Sequence, residues 1–251
     1  MLCPKCGYEQ ADGNLDCPRC GIIFEKIRTQ PILQPLPADK PEEGEDLSSA
    51  EQLKDLLFSV KPDTNPFYLG GRGILFLILF LWGFKFFFAP IEDNYPGTSF
   101  LHLVNLPFHE AGHVIFGFFG EFIAKLGGSL AQLIMPLICL FTFLIKMRDP
   151  FAASVTLWWF GESFMDLAPY INDARALNLI LIGGVTGKDV PDFHDWEYIL
   201  GRLNLLTYDH FLAGMANALG IACMLTAYLW GGYLLYREYA YQRANRTVRG
   251  G

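Results

Sequence analysis

The stretch that decides the fold is Gly73–Phe84, GILFLILFLWGF, which contains no charged side chain. Apolar runs near the length needed to cross about 30 Å of hydrocarbon are typical of membrane helices. The whole chain shares this character, because 52% of its 251 residues are hydrophobic, only 18% are charged and the mean hydropathy is +0.26. An average soluble domain is roughly a quarter charged. The composition therefore disfavours both an ordinary soluble enzyme and a disordered chain.

Charge is concentrated near the N-terminus. Residues 1–66 hold 19 charged side chains, whereas the much longer stretch 67–251 holds 26. The net charge of −7 gives no electrostatic reason to expect a nucleic-acid partner. The sequence predicts a small polar front, residues 1–66, and a membrane-embedded body, residues 67–251, with the lipid bilayer as a partner.

Five apolar segments are predicted to enter the membrane, at about 73–89, 99–120, 130–146, 151–171 and 211–236. The Arg-rich tail favours a cytoplasmic C-terminus by the positive-inside rule. The first residues, MLCPKCG, lack a signal-peptide pattern, so we expect the N-terminal part in the cytoplasm too. Both termini on one side require an even number of crossings, so either 174–187 makes a sixth or one segment is re-entrant. The expected fold is mainly α, a multi-pass protein of the cell membrane with about five or six membrane segments.

Four cysteines at the N-terminus form a metal-ligand pattern. Cys3 and Cys6 lie in CPKCG, and Cys17 and Cys20 lie in CPRCG ten residues further on. Four thiolates close a tetrahedron around zinc, which is a structural site without an open position. Two disulfides are the alternative, but a reducing cytoplasm disfavours them. Residues 1–28 are therefore predicted to be a zinc ribbon that metal binding folds.

A linker follows the predicted ribbon. Residues 29–47 contain four prolines and then a run of acidic residues. Ser48 and Glu51 fit a capping box, and apolar residues at helical spacing follow up to Val60. This pattern predicts a short amphipathic helix that either lies on the membrane surface or packs on the ribbon.

The pattern that indicates chemistry is HEAGH, residues His109, Glu110, Ala111, Gly112 and His113. On a helix, residues four apart share a face, so both imidazoles can bind one zinc ion. The glutamate after the first histidine is placed to act as a general base towards water. Ionisable groups in a membrane segment are costly, which favours a functional interpretation. Two histidines that only bond neighbouring helices are the alternative.

A catalytic zinc needs a third protein ligand. The candidates are His102, Asp166, Asp173, His194 and Asp195. We expect Asp173, because Pro169 and Asn172 should loosen the helix there and free its carboxylate.

The HExxH motif in an apolar segment, the Gly-rich stretch after it and the later aspartate resemble the site-2 protease family of intramembrane zinc metalloproteases. The resemblance covers roughly residues 100–187. It implies that His109, His113 and a distant aspartate bind zinc and that Glu110 activates water. It also implies that Gly127–Gln132 is a re-entrant strand region, in which Gly128, Ser129 and Gln132 help to hold an extended substrate.

The expected function is hydrolysis of a peptide bond in a membrane-associated protein, with one catalytic and one structural zinc, and with the ribbon binding a protein partner. One rival is a membrane zinc hydrolase of a lipid or small amide. Another is a non-catalytic membrane scaffold or regulator that retains a metal site.

Overall fold

The structure is a computed structural model that describes residues 1–24, 48–61 and 65–249. The chain divides into two compact units, Met1–Ser48 and Ser49–Gly251. The predicted linker 29–47 and the last four residues of the predicted ribbon lie outside the described residues.

The first unit consists of two similar turns. In one, the backbone N–H of Gly7 donates to the carbonyl of Cys3 at 2.9 Å, and in the other Gly21 donates to Cys17 at 2.8 Å. Both glycines have φ = 68°, a left-handed conformation that glycine adopts without steric cost. Single antiparallel bridges flank the turns, one between Leu2 and Glu9 and one between Asp16 and Ile23. The repeated geometry follows from the repeated CPxCG sequence.

The second unit is helical, and the described residues contain no extended strand. Its helices are α1 (Ser49–Phe58), α2 (Pro66–Phe88), α3 (Phe100–Phe116), α4 (Glu121–Phe141), α5 (Pro150–Asn172), α6 (Asp195–Arg202) and α7 (Asp209–Arg249). A π-helical turn, Thr142–Lys146, extends α4, and short 3₁₀ turns lie at Ile91–Asp93, Pro96–Thr98, Gly117–Phe119 and Leu206–Tyr208. The mainly helical fold predicted from the sequence is confirmed.

Helix α5 lies at the centre of this unit, and most of its second half is buried. It packs closely on α7 where two glycines meet, since a Cβ on Gly161 would lie 2.7 Å from the carbonyl oxygen of Gly220. Small residues let helix backbones approach in this way. Apolar residues of α5, α6 and α7, including Leu167, Ile171 and Leu200, form one core cluster beside this contact.

Three helical stretches in the described part of the chain are long and apolar enough to cross a membrane: Pro66–Phe88, Glu121–Lys146 and Leu206–Asn245. This is fewer than the five or six segments predicted. The predicted segments 99–120 and 151–171 do contain helices, α3 and α5, but these are not among the three. Both helices carry several polar side chains on faces that are buried in protein, and a face that does not contact lipid need not be apolar. The stretch 174–187, considered as a sixth crossing, consists of turns and irregular backbone.

Helix α1 belongs to the second unit. Its Leu57 carbonyl accepts a hydrogen bond from Trp230 Nε1 at 2.8 Å, and its Phe58 carbonyl accepts one from Arg237 at 2.8 Å. The Phe58 ring also packs edge-on against Tyr233, with 5.6 Å between centroids. Packing against α7 is a contact that the sequence analysis did not predict.

Candidate metal centres

The four N-terminal cysteines form a compact cluster, with all four sulfur atoms within 4.8 Å of one another. The Sγ atoms of Cys3 and Cys20 are 3.7 Å apart, as are those of Cys6 and Cys17. A tetrahedral zinc with Zn–S bonds of ~2.3 Å would separate its sulfurs by ~3.8 Å, whereas a disulfide would need ~2.05 Å. The geometry therefore fits a group that could bind a metal ion, rather than two disulfides.

The thiols of this cluster differ in acidity. Burial raises the pKa of the Cys3 thiol, but hydrogen bonds from the backbone N–H groups of Cys6 and Lys5 lower it. The net result is a lowered pKa of about 6. A thiolate is the form that binds metal, so this backbone turn favours the ligand state of Cys3.

A second cluster lies in the helical unit. His109 and His113 are one turn apart on α3, with ring centroids 4.9 Å apart. The Nε2 atom of each ring lies 3.2 Å from Oδ2 of Asp195. These three residues offer ligand atoms that all lie within 4.8 Å of one another. The structure therefore brings the two predicted histidines together with an aspartate.

Hydrogen bonds at Nδ1 orient both rings. His113 Nδ1 lies 2.8 Å from the carbonyl oxygen of Ala124, which can only accept, so Nδ1 carries the hydrogen. Gln132 uses its Nε2 to donate to Asp166 at 2.8 Å, which leaves its Oε1 to accept from His109 Nδ1 at 3.2 Å. With Nδ1 engaged in this way, the Nε2 atoms of both rings face one carboxylate oxygen. Three electron-pair donors at this spacing repel one another unless a proton or a metal ion lies between them.

Close helix packing makes room for this cluster. A Cβ on Gly128 of α4 would lie 2.6 Å from His109 Nε2 and 2.7 Å from His113 Cε1. A Cβ on Gly112 of α3 would overlap the backbone of Gly127 in the same way. The glycines therefore let α4 pass directly beside the two imidazoles.

Asp195 is the first residue of α6, and two side chains hold its carboxylate in place. Tyr170 of α5 donates from its hydroxyl to Oδ2 at 3.1 Å and accepts the backbone N–H of Asp195 at 2.9 Å. Lys125 of α4 lies 3.3 Å from Oδ1. Burial raises the pKa of Asp195, but its contacts with His109 and His113 hold that pKa well below the usual range. The ionised form, which is the ligand form, is the stable one.

Asp173, the residue expected as third ligand, does not face the histidines. It ends α5, and its two carboxylate oxygens accept the backbone N–H groups of Asn178 and Leu179, both at 2.9 Å. The helix does end near Pro169 as expected, but the freed carboxylate organises the following turn instead of reaching across to α3. In the structure, Asp195 rather than Asp173 is the carboxylate beside the histidines.

The remaining candidates also have other partners. His194 caps α6, since its Nδ1 accepts the N–H of Glu197 at 3.2 Å, and burial lowers its pKa to about 4. Asp166 pairs with His102 Nδ1 at 2.9 Å. Asp166 also accepts from Asn105 at 3.1 Å and from Gln132, so it acts on His109 through Gln132.

The segment expected to be a re-entrant strand is helical. Gly127–Gln132 lies inside α4, and Gly128, Ser129 and Gln132 are buried there. Gly128 and Gln132 contact the histidine pair, and the Ser129 hydroxyl has no hydrogen-bond partner in the described chain. A helix already pairs its backbone groups, so this segment offers no strand edge to an extended substrate. Gly128 and Gln132 therefore pack beside the histidine pair, and Gln132 also lines the adjoining cavity.

A cavity of about 560 Å³ adjoins the cluster and is lined by His109, His113, Glu110 and Asp195. The Glu110 carboxylate has no hydrogen-bond partner among the described residues, which leaves it available to a ligand. Apolar side chains form much of the remaining wall: Leu103, Leu106, Leu167, Phe193 and the stretch Leu179–Ile182. The cavity therefore combines a polar end with an apolar wall.

Sequence reasoning missed Lys125, Tyr170 and the buried pair Asn105–Glu162. Asn105 Nδ2 donates to Glu162 at 3.0 Å, and Glu162 is fully buried. A polar residue in an apolar helix is a usable signal for Asn105 and Glu162. No local signal distinguishes Lys125 or Tyr170, because their role depends on Asp195, which is distant in sequence.

Comparisons of the chain with known protein families, with curated proteins and with solved structures found no match. The chemistry of the donors is therefore the basis for any assignment. Two imidazole nitrogens and a carboxylate, each held by a hydrogen bond to a further group, fit a transition-metal ion such as zinc.

Proposed function

We propose that this chain is a membrane-embedded zinc metalloprotease that hydrolyses a peptide bond of a membrane-associated protein. The observation that carries the proposal is the convergence of His109 Nε2 and His113 Nε2 on Asp195 Oδ2, at 3.2 Å each, with Glu110 lining the same cavity. Two histidines, a carboxylate and a neighbouring glutamate are the set found in many zinc hydrolases.

The proposed zinc would supply a Lewis acid that polarises a carbonyl and lowers the pKa of water at that position. Glu110 would take a proton from the attacking water and later give it to the leaving amine. His109, His113 and Asp195 would fix the reacting centre at one end of the cavity. The apolar wall would bind the side chains of the substrate and exclude bulk water.

The stretch Leu179–Ile182 is an argument in favour of an extended peptide substrate. It is not helical, it lines the cavity, and the side chain of Ile180 is 78% exposed. An extended peptide beside this stretch would reach the metal end of the cavity. This segment takes the place that the sequence analysis gave to Gly127–Gln132.

The ribbon would hold the second, structural zinc through Cys3, Cys6, Cys17 and Cys20 and would recruit a protein partner. The protein would be a multi-pass protein of the cell membrane, with the ribbon and the C-terminal tail in the cytoplasm. The site-2 protease resemblance is retained for the HExxH helix, with Asp195 in place of Asp173 as the third ligand.

A membrane zinc hydrolase of a lipid or small amide is the second candidate. The apolar wall of the cavity favours it, because a lipid chain binds such a surface without any strand edge. The same residues would activate water in both cases.

The test uses the full chain, purified in detergent and loaded with zinc. One assay follows a fluorescent casein and single-span peptides in phosphatidylcholine vesicles, and another follows a fluorescent fatty-acid amide. We expect peptide cleavage by the wild type and a loss of about 100-fold or more in Glu110→Gln, which keeps zinc but lacks the base. Glu121→Gln, a matched change of another cavity-lining carboxylate, should retain activity.

Hydrolysis of the amide lipid alone would establish the second candidate. Binding of a single zinc, at the ribbon only, would instead identify a scaffold and overturn the proposal.

A further inference from the structure

Lys125 holds a special position in the cavity. Among the described residues that line it, Lys125 is the one lysine or arginine, whereas Glu110, Glu121, Asp166 and Asp195 are acidic. Its side chain is 19% exposed, and its hydrogen bond to Asp192 lies at the exposed edge of the cavity. A cation in such a setting acts more strongly on a nearby negative charge than it would in water.

The ammonium has an unused donor. Its Nζ donates to the carbonyl oxygen of Asp192 at 2.6 Å and lies 3.3 Å from Asp195 Oδ1. An ammonium carries three N–H groups, and the described structure gives the third no partner. Lys125 lies on α4 one turn before Gly128, and its Nζ lies beside Asp195, whose other carboxylate oxygen contacts both histidines.

Tyr170 is less suitable for a substrate. Its single O–H donates to Asp195 Oδ2, and its oxygen accepts the N–H of Asp195. A substrate oxygen could take this donor only by breaking the contact that holds Asp195. Lys125 can keep both of its contacts and still donate.

We propose that Lys125 is a catalytic residue that binds the oxyanion formed when water adds to the substrate carbonyl. The inference rests on the proposed function. When the water oxygen bonds to the carbonyl carbon, Glu110 takes the water proton and the π electrons move to the carbonyl oxygen. This oxygen then accepts a hydrogen bond from the third N–H group of Lys125. On collapse, the C=O bond re-forms, the C–N bond breaks and its electron pair takes the proton from Glu110.

A positive charge at Lys125 would offset the negative charge of the carboxylates that line the cavity. The negative oxygen would form among several carboxylates, which repel it. A fixed donor near the developing charge stabilises the transition state more than the neutral ground state. Removal of one such donor costs about 10²- to 10³-fold in rate in well-studied enzymes.

The test compares two probes on the zinc-loaded full chain in detergent by titration calorimetry. A phosphonamidate peptide carries the charge of the tetrahedral oxygen, whereas acetohydroxamate reports the strength of the metal centre. We expect Lys125→Met to bind the phosphonamidate roughly 10- to 100-fold more weakly and acetohydroxamate nearly unchanged. Lys125→Arg should bind both probes within a few-fold of the wild type.

Lys188→Met is the matched control, because Lys188 is exposed and bonds Asn178 outside the cavity. Equal weakening of both probes, or of neither, in Lys125→Met would overturn the proposal. Loss of zinc in both Lys125→Met and Lys125→Gln would also overturn it, since Lys125 would then only hold Asp195. If the wild type itself binds no zinc at the histidines, the proposed function fails together with this inference.

Discussion

At the residue scale, the identity of the carboxylate beside the histidines depends on whether its oxygens already accept nearby backbone N–H groups. Asp173 accepts two backbone N–H groups that lie five and six residues further along the chain, in the turn after the helix end. Asp195 lies at the start of a helix, where a negative charge is favourable, and its side chain is free to reach α3. Local chemistry therefore separates the two aspartates.

This difference predicts distinct effects of two substitutions. Asp195→Ala should lose the zinc of the helical unit, with affinity reduced by about 100-fold or more, because one of three protein ligands is removed. Asp173→Ala should keep that zinc, since it only loosens the turn at Asn178. Metal content after dialysis against a buffered zinc concentration distinguishes them. The opposite pattern would restore Asp173 as the ligand.

At the element scale, the metal centre depends on how closely α3 and α4 pack. Gly112, Gly127 and Gly128 remove the side chains that would separate the helices. The HExxH pattern places two histidines on one face, but that face becomes a site only when a second helix supplies hydrogen-bond acceptors to both rings.

Gly128→Ala tests this packing. A methyl group there would lie 2.6 Å from His109 Nε2, so the rings must shift away from Asp195. We expect zinc affinity to fall about 10- to 100-fold, as for other changes next to metal ligands. Gly214→Ala on α7, where a Cβ meets open space, is the control and should bind zinc normally. Unchanged affinity in Gly128→Ala would show that the helices are not as close as described.

The crossing of α5 and α7 makes a second prediction at this scale. A Cβ on Gly220 would overlap the carbonyl oxygen of Gly161 and the side chain of Met165. We expect Gly220→Ala to lower the free energy of unfolding by about 1–3 kcal/mol through overpacking. Thermal unfolding in detergent, compared with Gly214→Ala, measures it. A stabilised Gly220→Ala protein would contradict the tight crossing.

At the scale of the whole molecule, the two candidate metal centres lie in separate compact units. We therefore expect two zinc ions per chain that can be removed independently. Cys20→Ser should remove one ion and leave the other, and His113→Ala should do the reverse. Elemental analysis of the purified chain gives the counts. Loss of both ions in either variant would show that the units depend on each other.

The sequence by itself determined the features that depend on local spacing. The CxxC pairs lie close in the chain, and the helical repeat alone places His109 and His113 on one face, so the cysteine cluster and the histidine pair could be predicted. Apolar composition likewise predicted a helical protein with membrane-crossing helices. These features need only short-range geometry and the cost of exposing apolar groups to water.

Only the tertiary structure decided which carboxylate lies beside His109 and His113 and whether Gly127–Gln132 is helical. Asp195 is 82 residues beyond His113, and its approach depends on Tyr170, Lys125 and the turn that Asp173 organises. Contacts between distant segments are set by the packing of the whole helical unit, which no local pattern encodes.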